Sequence, residues 1–221
     1  MTGRAFGPTP RNPMLIVALT GGIASGKSAV ARLLKDKGCH IYEADRVAQE
    51  LMAPDLPAWS RVAAHFGPGI LNPDRTIDRR RLASLIFSDE RERRFLNALI
   101  HPLVLEHQRQ AAAELEREGR VRIFVSEAAL TIEAGFASEF DKVIVVWCRP
   151  EVQLRRLMNR DKIGAEDAAR KVRSQMDMDA KKKFADYLID TSGTMDQTEK
   201  QAEAVFQCLV RDERDKAGPT A

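Results

Sequence analysis

Leu15-Ile16-Val17-Ala18-Leu19-Thr20 runs directly into Gly21-Gly22-Ile23-Ala24-Ser25-Gly26-Lys27-Ser28, and this junction decides the fold. An unbroken apolar run of this kind reads as a strand buried on both faces, as in a parallel sheet. The eight residues after it fit the phosphate-loop pattern G-x-x-x-x-G-K-S. Glycines let backbone N–H groups curl around phosphate oxygens, and a helix starting near Lys27 adds its positive end. Val30, Leu33 and Leu34 continue at helical spacing, so strand, loop and helix follow in the order the motif requires. Gly21, Gly22, Ile23, Ala24, Ser25, Gly26, Lys27, Ser28 and Ala29 are therefore the expected nucleotide-binding residues. Lys27 is expected on the β- and γ-phosphates and Ser28 on a magnesium ion.

Downstream, Cys39-His40-Ile41-Tyr42 reads as a second strand that delivers Glu43-Ala44-Asp45 to its carboxyl end, the edge where open α/β sheets hold ligands. From residue 46 to 119 only helical periods are found, over 46–52, 57–66, 78–87, 91–99 and 102–118. That length is too great for a simple crossover, and a small helical acceptor subdomain over the ligand edge is expected. Arg79, Arg80 and Arg81 read either as an anion site or as a solvated helix face. His101-Pro102 is expected to open the long helix, with His101 either reaching a ligand or serving as a capping or packed residue.

Val121 to Ser126 reads as a third strand ending in Glu127, either a magnesium contact through water or a surface carboxylate. Val143 to Trp147 is a fourth, fully apolar strand. The helix after Arg149-Pro150 places Leu154, Leu157 and Met158 on one face and Arg156 with Arg160 on another. Residues 156–184 carry Arg170, Lys171, Arg173 and Lys181 to Lys183, and are expected either as a lid that closes over the phosphates or as a solvated helical hairpin. Tyr187 to Asp190 is a last strand and 196–210 a last helix.

The core is thus expected over 14–45 and 120–210, the acceptor subdomain over 46–119, and disordered ends over 1–13 and 211–221. The fold class is α/β, a five-stranded parallel sheet of the phosphate-loop NTPase type flanked by helices.

Composition narrows the function. The 221 residues carry a net charge of +3, with basic and acidic residues interleaved rather than gathered into a nucleic-acid stripe. Cys39, Cys148 and Cys208 are far apart without metal-ligand spacing and read as buried apolar groups in a reducing compartment. No apolar run approaches the ~18 residues of a membrane span. Small-molecule substrates, no nucleic acid, no membrane and a cytoplasmic location are expected, as a monomer or weak homo-oligomer.

Phosphate-loop proteins include GTPases, motors and small-molecule kinases. No guanine-reading segment of the N-K-x-D type is found, since Asn159-Arg160-Asp161-Lys162 has the wrong order. The short chain, the helical insertion and the arginine-rich segment after strand four favour a kinase with a small acceptor.

At this point the chain resembles the dephospho-coenzyme A kinase family. The resemblance rests on Leu19 through Ser28, Glu43-Ala44-Asp45, Phe66-Gly67 with Ile70-Leu71-Asn72, Arg79-Arg80, Leu82, Ile86-Phe87, Leu99-Ile100-His101-Pro102, Arg156 with Arg160-Asp161, Gln175, and Ala185 to Asp190. It covers about residues 14–207. It implies transfer of the ATP γ-phosphoryl group to the ribose 3′-hydroxyl of dephospho-coenzyme A, with Mg²⁺. It also implies that Asp45 accepts or orients the hydroxyl proton, that Lys27, Arg156 and Arg160 neutralise charge on the moving group, and that Arg79 or Arg80 and His101 lie near the acceptor. The chain departs from the family pattern at Glu43 for Asp, Ala24 for Gly, Ala29 for Thr, Ala129 for Pro, Thr131 for Leu and Thr191 for Asn. A kinase for another nucleoside-like or pantetheine-bearing acceptor, and a nucleotide-binding module without turnover, are the alternatives.

Overall fold

β1 (Leu15–Gly21) is the central strand, buried at all but one position, and the computed structural model builds a five-stranded parallel sheet around it in the order β2-β3-β1-β4-β5. The other strands are β2 (His40–Glu43), β3 (Ile123–Glu127), β4 (Lys142–Trp147) and β5 (Tyr187–Asp190). β1 pairs with β3 in the register Leu19 to Glu127, and with β4 in the register Leu19 to Ile144. Parallel pairing puts every carboxyl end on one edge, which gathers the phosphate loop, Glu43 and Glu127. The description covers residues 13–218. All but Pro13 of the disordered lead-in expected over 1–13, and the last three residues of the expected disordered tail, lie outside it.

α1 (Lys27–Asp36) buries Val30, Ala31 and Leu34 against one sheet face together with α9 (Met195–Ala217), which contributes Ala202, Val205 and Leu209. Between β2 and β3 lie α2 (Ala44–Glu50), α3 (Pro57–Phe66), α4 (Arg79–Ser88) and α5 (Glu90–Glu118). Ala58, Val62, Ile70, Leu82, Leu96, Leu99 and Ile100 form a core of their own there. A smaller apolar cluster of Met14, Tyr42, Ala44, Val47 and Phe124 joins that unit to the sheet. After β4 come α6 (Pro150–Asp161), α7 (Ala165–Arg173) and α8 (Met178–Lys182).

Four features differ from the sequence-based expectation. α5 is one helix with Pro102 inside it, so His101 opens nothing. Pro102 cannot donate to the carbonyl four residues earlier, but buried Leu99 and Ile100 before it and Gln108 after it hold the axis together. On α6 the buried residues are Val152, Gln153 and Leu157, one position round from the expected face.

The tail does not fray at Arg211, because α9 continues to Ala217. Its last turns are held by polar contacts that apolar periodicity does not register: buried Glu213 pairs with Arg122 at 2.8 Å, and Lys216 Nζ donates to the Met14 carbonyl. Cys208 is only half-buried, with Arg211 donating to its sulfur, whereas Cys39 and Cys148 are buried and burial pushes the Cys39 thiol up to about 12.

Candidate active site

The loop between β1 and α1 turns tightly because two of its residues take left-handed backbone, Ala24 at φ 57° and Gly26 at φ 92°. Such alternation turns successive N–H groups toward one concavity, the arrangement that receives phosphate oxygens. Alanine accepts that conformation at a cost of about 1 kcal/mol, so Ala24 preserves the shape a glycine would give more freely. Gly21 is different in kind: a Cβ there would lie 2.1 Å from the Val146 carbonyl oxygen, so β4 leaves no room for a side chain.

Three distant side chains hold the loop from behind. Gln175 accepts from the Ile23 N–H at 2.6 Å, and Gln153 donates to the Ile23 carbonyl at 2.8 Å. Thr191 donates to the Ser25 carbonyl at 2.6 Å. Arg156 in turn donates to both the Thr191 hydroxyl and carbonyl, at 2.9 and 2.7 Å. Arg156, expected beside the moving phosphoryl group, is here bound to the turn between β5 and α9. Arg160 is among the charges that act on Lys27.

Lys27 is half-buried, and the loss of water around it pulls its ammonium pKa below the usual lysine value. Asp45 and Glu127 oppose that shift as the nearby negative charges, while Lys181 and Arg160 reinforce it. Asp45 is the second residue of α2. Its carboxylate opens to the cleft, but the protein crowding it raises its pKa above the usual carboxylate value, with Lys27 pulling the other way. Ser28 Oγ donates to Glu127 Oε1 at 2.8 Å in an exposed position at the loop mouth. Glu43 stands next to Glu127 in the sheet register and pairs with Arg46.

Asp45 borders three cavities, and the one at the loop mouth carries Ser28, Arg32, Lys35, Glu43, Arg46 and Glu127. Another, of about 850 Å³ including its open mouth, runs between α5 and the segment after β3 and is lined by Met52, Ile100, His101, Leu130 and Phe136 among others. His101 lies edge-on to Phe136 at 5.9 Å between ring centroids, and burial lowers its pKa, which favours the neutral ring. The third cavity lies on the far side of α2 and carries Arg46, Arg79 and Arg160. Arg79 and Arg80 part company: Arg80 faces a separate groove with Asp167 and Arg170 of α7. Arg81 is occupied by Asp78 and the Gly69 carbonyl.

The segment expected to form a lid contains α7 and α8, and its basic residues differ in use. Arg170 pairs with Asp167, and Lys171 with Asp161, whose carboxyl is held at about 2 by hydrogen bonds from Arg160 and Lys171. Lys182 stands over the Trp147 ring at 3.8 Å. Lys181 is fully buried and reaches Glu133 Oε1 at 2.8 Å and the Ala129 carbonyl at 3.0 Å. A buried lysine bound to the wall after β3 does not move with a lid.

Gln175, Gln153 and Thr191 escaped the sequence reading as loop supports. Gln153, Arg156, Leu157 and Arg160 share one helix face at offsets of three, four and seven, the one signal that points Gln153 toward the loop.

For a magnesium ion, the fit is set by donor chemistry. The Ser28 hydroxyl and the Glu127 carboxylate are hard oxygen donors side by side at the loop mouth, and among the described residues no group of three or more His, Cys, Asp or Glu gathers elsewhere. That suits an ion taking few protein ligands and completing its shell from phosphate and water. Among the described residues no helix is long and apolar enough to cross a membrane.

The chain is similar to a dephospho-CoA kinase of Halalkalibacterium halodurans, at 42% identity over 187 residues covering 85% of this chain and 92% of that protein. A solved structure from Thermus thermophilus superposes with a TM-score of 0.72 at 30% identity, covering 89% of this chain and 98% of that one. The dephospho-CoA kinase of Campylobacter jejuni does so with a TM-score of 0.64 at 26% identity, over 89% and 98%. A sequence model of the family described as dephospho-CoA kinase matches residues 15–197, through the phosphate loop, the helical insertion and the arginine-bearing α6. The chain belongs to the dephospho-CoA kinase family.

Proposed function

We propose that this protein transfers the γ-phosphoryl group of ATP to the ribose 3′-hydroxyl of dephospho-CoA, giving coenzyme A, with Asp45 as the group that accepts or orients the hydroxyl proton. The observation that carries the assignment is the place of Asp45, within the field of Lys27 and on the wall of three cavities that together offer an apolar and a cationic surface. Phosphoryl transfer passes through a loose, charge-rich transition state, so placement of the hydroxyl matters more than strong basicity.

Lys27 and the amides of Gly21 through Ala29 hold the phosphates, and Arg160 adds positive charge on the acceptor side. Arg156 keeps the turn at Thr191 against Ser25, and so keeps the loop in shape. Arg79 and Arg160 face the acceptor's pyrophosphate, and His101 contacts the acceptor as a neutral ring. Ser28 directly, and Glu127 through water, would hold magnesium, which when bound offsets charge on the transferring oxygens. Arg80 serves closure between α4 and α7, which lies within the lid segment 156–184. The protein works in the cytoplasm as a monomer or weak homo-oligomer.

ADP release with Mg·ATP, measured with and without dephospho-CoA, tests the assignment when the acceptor is then weighed for one added phosphate. Acceptor-dependent release with that product is expected. Binding of ATP without stimulation would overturn it.

The pH dependence follows from Asp45. Only the carboxylate accepts a proton, and its pKa is raised above the ordinary 3.8, so acceptor kcat/KM should fall on acidification through a limb above that value. An acid limb that stays in place in Asp45→Asn would belong to another group.

A further inference from the structure

The three cavities that meet at Asp45 differ in charge, and the difference sorts the parts of the acceptor. Among the described residues, the cavity between α5 and the segment after β3 has no lysine or arginine on its wall, and its histidine, His101, favours the neutral form. The other two are cationic, one with Arg46, Arg79 and Arg160 and one with Arg32, Lys35 and Arg46. A ribose whose 3′-hydroxyl meets Asp45 carries its base on one ring carbon and its pyrophosphate arm on another. The arm, with its negative charges, suits the arginine side, which leaves the cation-free cavity to the uncharged base.

That cavity is apolar apart from a few groups, and two of them form a pair. Ser126 of β3, 1% exposed, and Gln108 of α5, 6% exposed, are 2.6 Å apart from Oγ to Oε1. The serine hydroxyl fixes the carboxamide, and the amide nitrogen of Gln108 is left without a protein partner among the described residues. That nitrogen is not sealed in, since the buried side-chain atoms without a partner among the described residues are Ser25 Oγ and Glu133 Oε2, so it stays open to a ligand. Gln108 also borders a second groove with Arg109, Glu116 and Lys216. Neither side chain touches the phosphate loop or the residues assigned to phosphoryl transfer, so the mechanism does not account for them.

We infer that the cavity is the seat of the acceptor's purine and that Gln108, oriented by Ser126, is a specificity-determining residue that reads the base edge. The inference rests on Asp45 meeting the acceptor hydroxyl. A fixed carboxamide in an apolar slot matches the adjacent donor and acceptor of adenine's edge, the 6-amino group and N1. In hypoxanthine the 6-position becomes an acceptor and N1 a donor, so the match is reversed. A site built on buried hydrogen bonds rejects a mismatched partner strongly, because its own groups are then left unpaired.

The test uses the full chain with two acceptors, dephospho-CoA and its deaminated counterpart bearing hypoxanthine. The unaltered protein is expected to prefer the adenine form by about tenfold or more in kcat/KM, the scale of one or two buried hydrogen bonds. Gln108→Leu should raise KM for dephospho-CoA by about tenfold and erase the preference, with the KM for ATP unmoved. Ser126→Ala, a near-isosteric change within a strand, should weaken the preference in the same direction and serves if the leucine variant fails to fold.

Equal use of both acceptors by the unaltered protein would overturn the inference. So would a preference that survives both substitutions, or losses that appear in kcat and in the KM for ATP together. Transfer to neither acceptor by the unaltered protein would sink the acceptor reading beneath it.

Discussion

Asp45→Asn is expected to leave ATP binding nearly unchanged while lowering kcat by ~10²-fold or more, the usual scale for a positioned general base. The amide keeps the size of the carboxylate and can still hydrogen-bond, so the surroundings of α2 need not rearrange. What is lost is the ability to take the hydroxyl proton, together with a negative charge that acts directly on Lys27. Without it, Lys27 has a still lower pKa by the same electrostatics, but its partner in the working site is a polyphosphate that supplies more charge than one carboxylate. Nucleotide affinity is therefore insulated from the change, and turnover is not. ATP titration beside steady-state rates separates the two, and turnover equal to that of the unaltered protein would remove Asp45 from the mechanism.

The second large effect is on stability. Lys181→Met leaves the Glu133 carboxylate buried beside no cation, and breaking a buried ion pair from one side costs about 3–5 kcal/mol. The environment sharpens that expectation: among the described residues Glu133 Oε2 already has no hydrogen-bond partner, so Oε1 carries the contacts to Lys181 and to the Met176 N–H. A shift of this size is read from the urea midpoint of unfolding. Replacing both members, Lys181→Met with Glu133→Leu, should recover most of the loss, because well-packed apolar groups often match a buried ion pair. A single variant as stable as the unaltered chain would show that Lys181 does not clamp the segment after β3. The same variant should also weaken acceptor handling, since Ala129 accepts from both Lys181 and Thr20 and sits between two residues of the acceptor cavity wall.

The sequence made the centre of this molecule legible for a local reason. Strand, loop and helix from Leu15 to Asp36 are contiguous, and the chemistry of phosphate binding is written in their backbone requirements. Asp45 was legible because a short strand pointed it at the ligand edge. Gln175, Gln153 and Thr191 reach the loop across separations of 152, 130 and 166 residues, and no local pattern encodes such a contact. Lys181 misled for a related reason. In a run of three lysines its charge reads as solvated, and only the fold places Glu133 and the Ala129 carbonyl where they can receive it. Pro102 misled in the opposite sense. It has the local signature of a helix start, yet packing on both sides carries α5 through it.

The polar contacts at the end of α9 have a topological consequence. Lys216 reaches the Met14 carbonyl and Asp141, and Asp141 accepts from the Ile16 N–H, so both ends of the described chain lie together where β1 enters the sheet. That is the edge opposite the phosphate loop. A short linker between residues 14 and 216 would therefore close the chain into a ring without passing over any of the cavities at Asp45, and new ends could be opened in a surface turn of the helical insertion. The order in which the strands are synthesised could thus be changed while the site is left intact, because the adjacency of the ends belongs to the folded form rather than to the sequence.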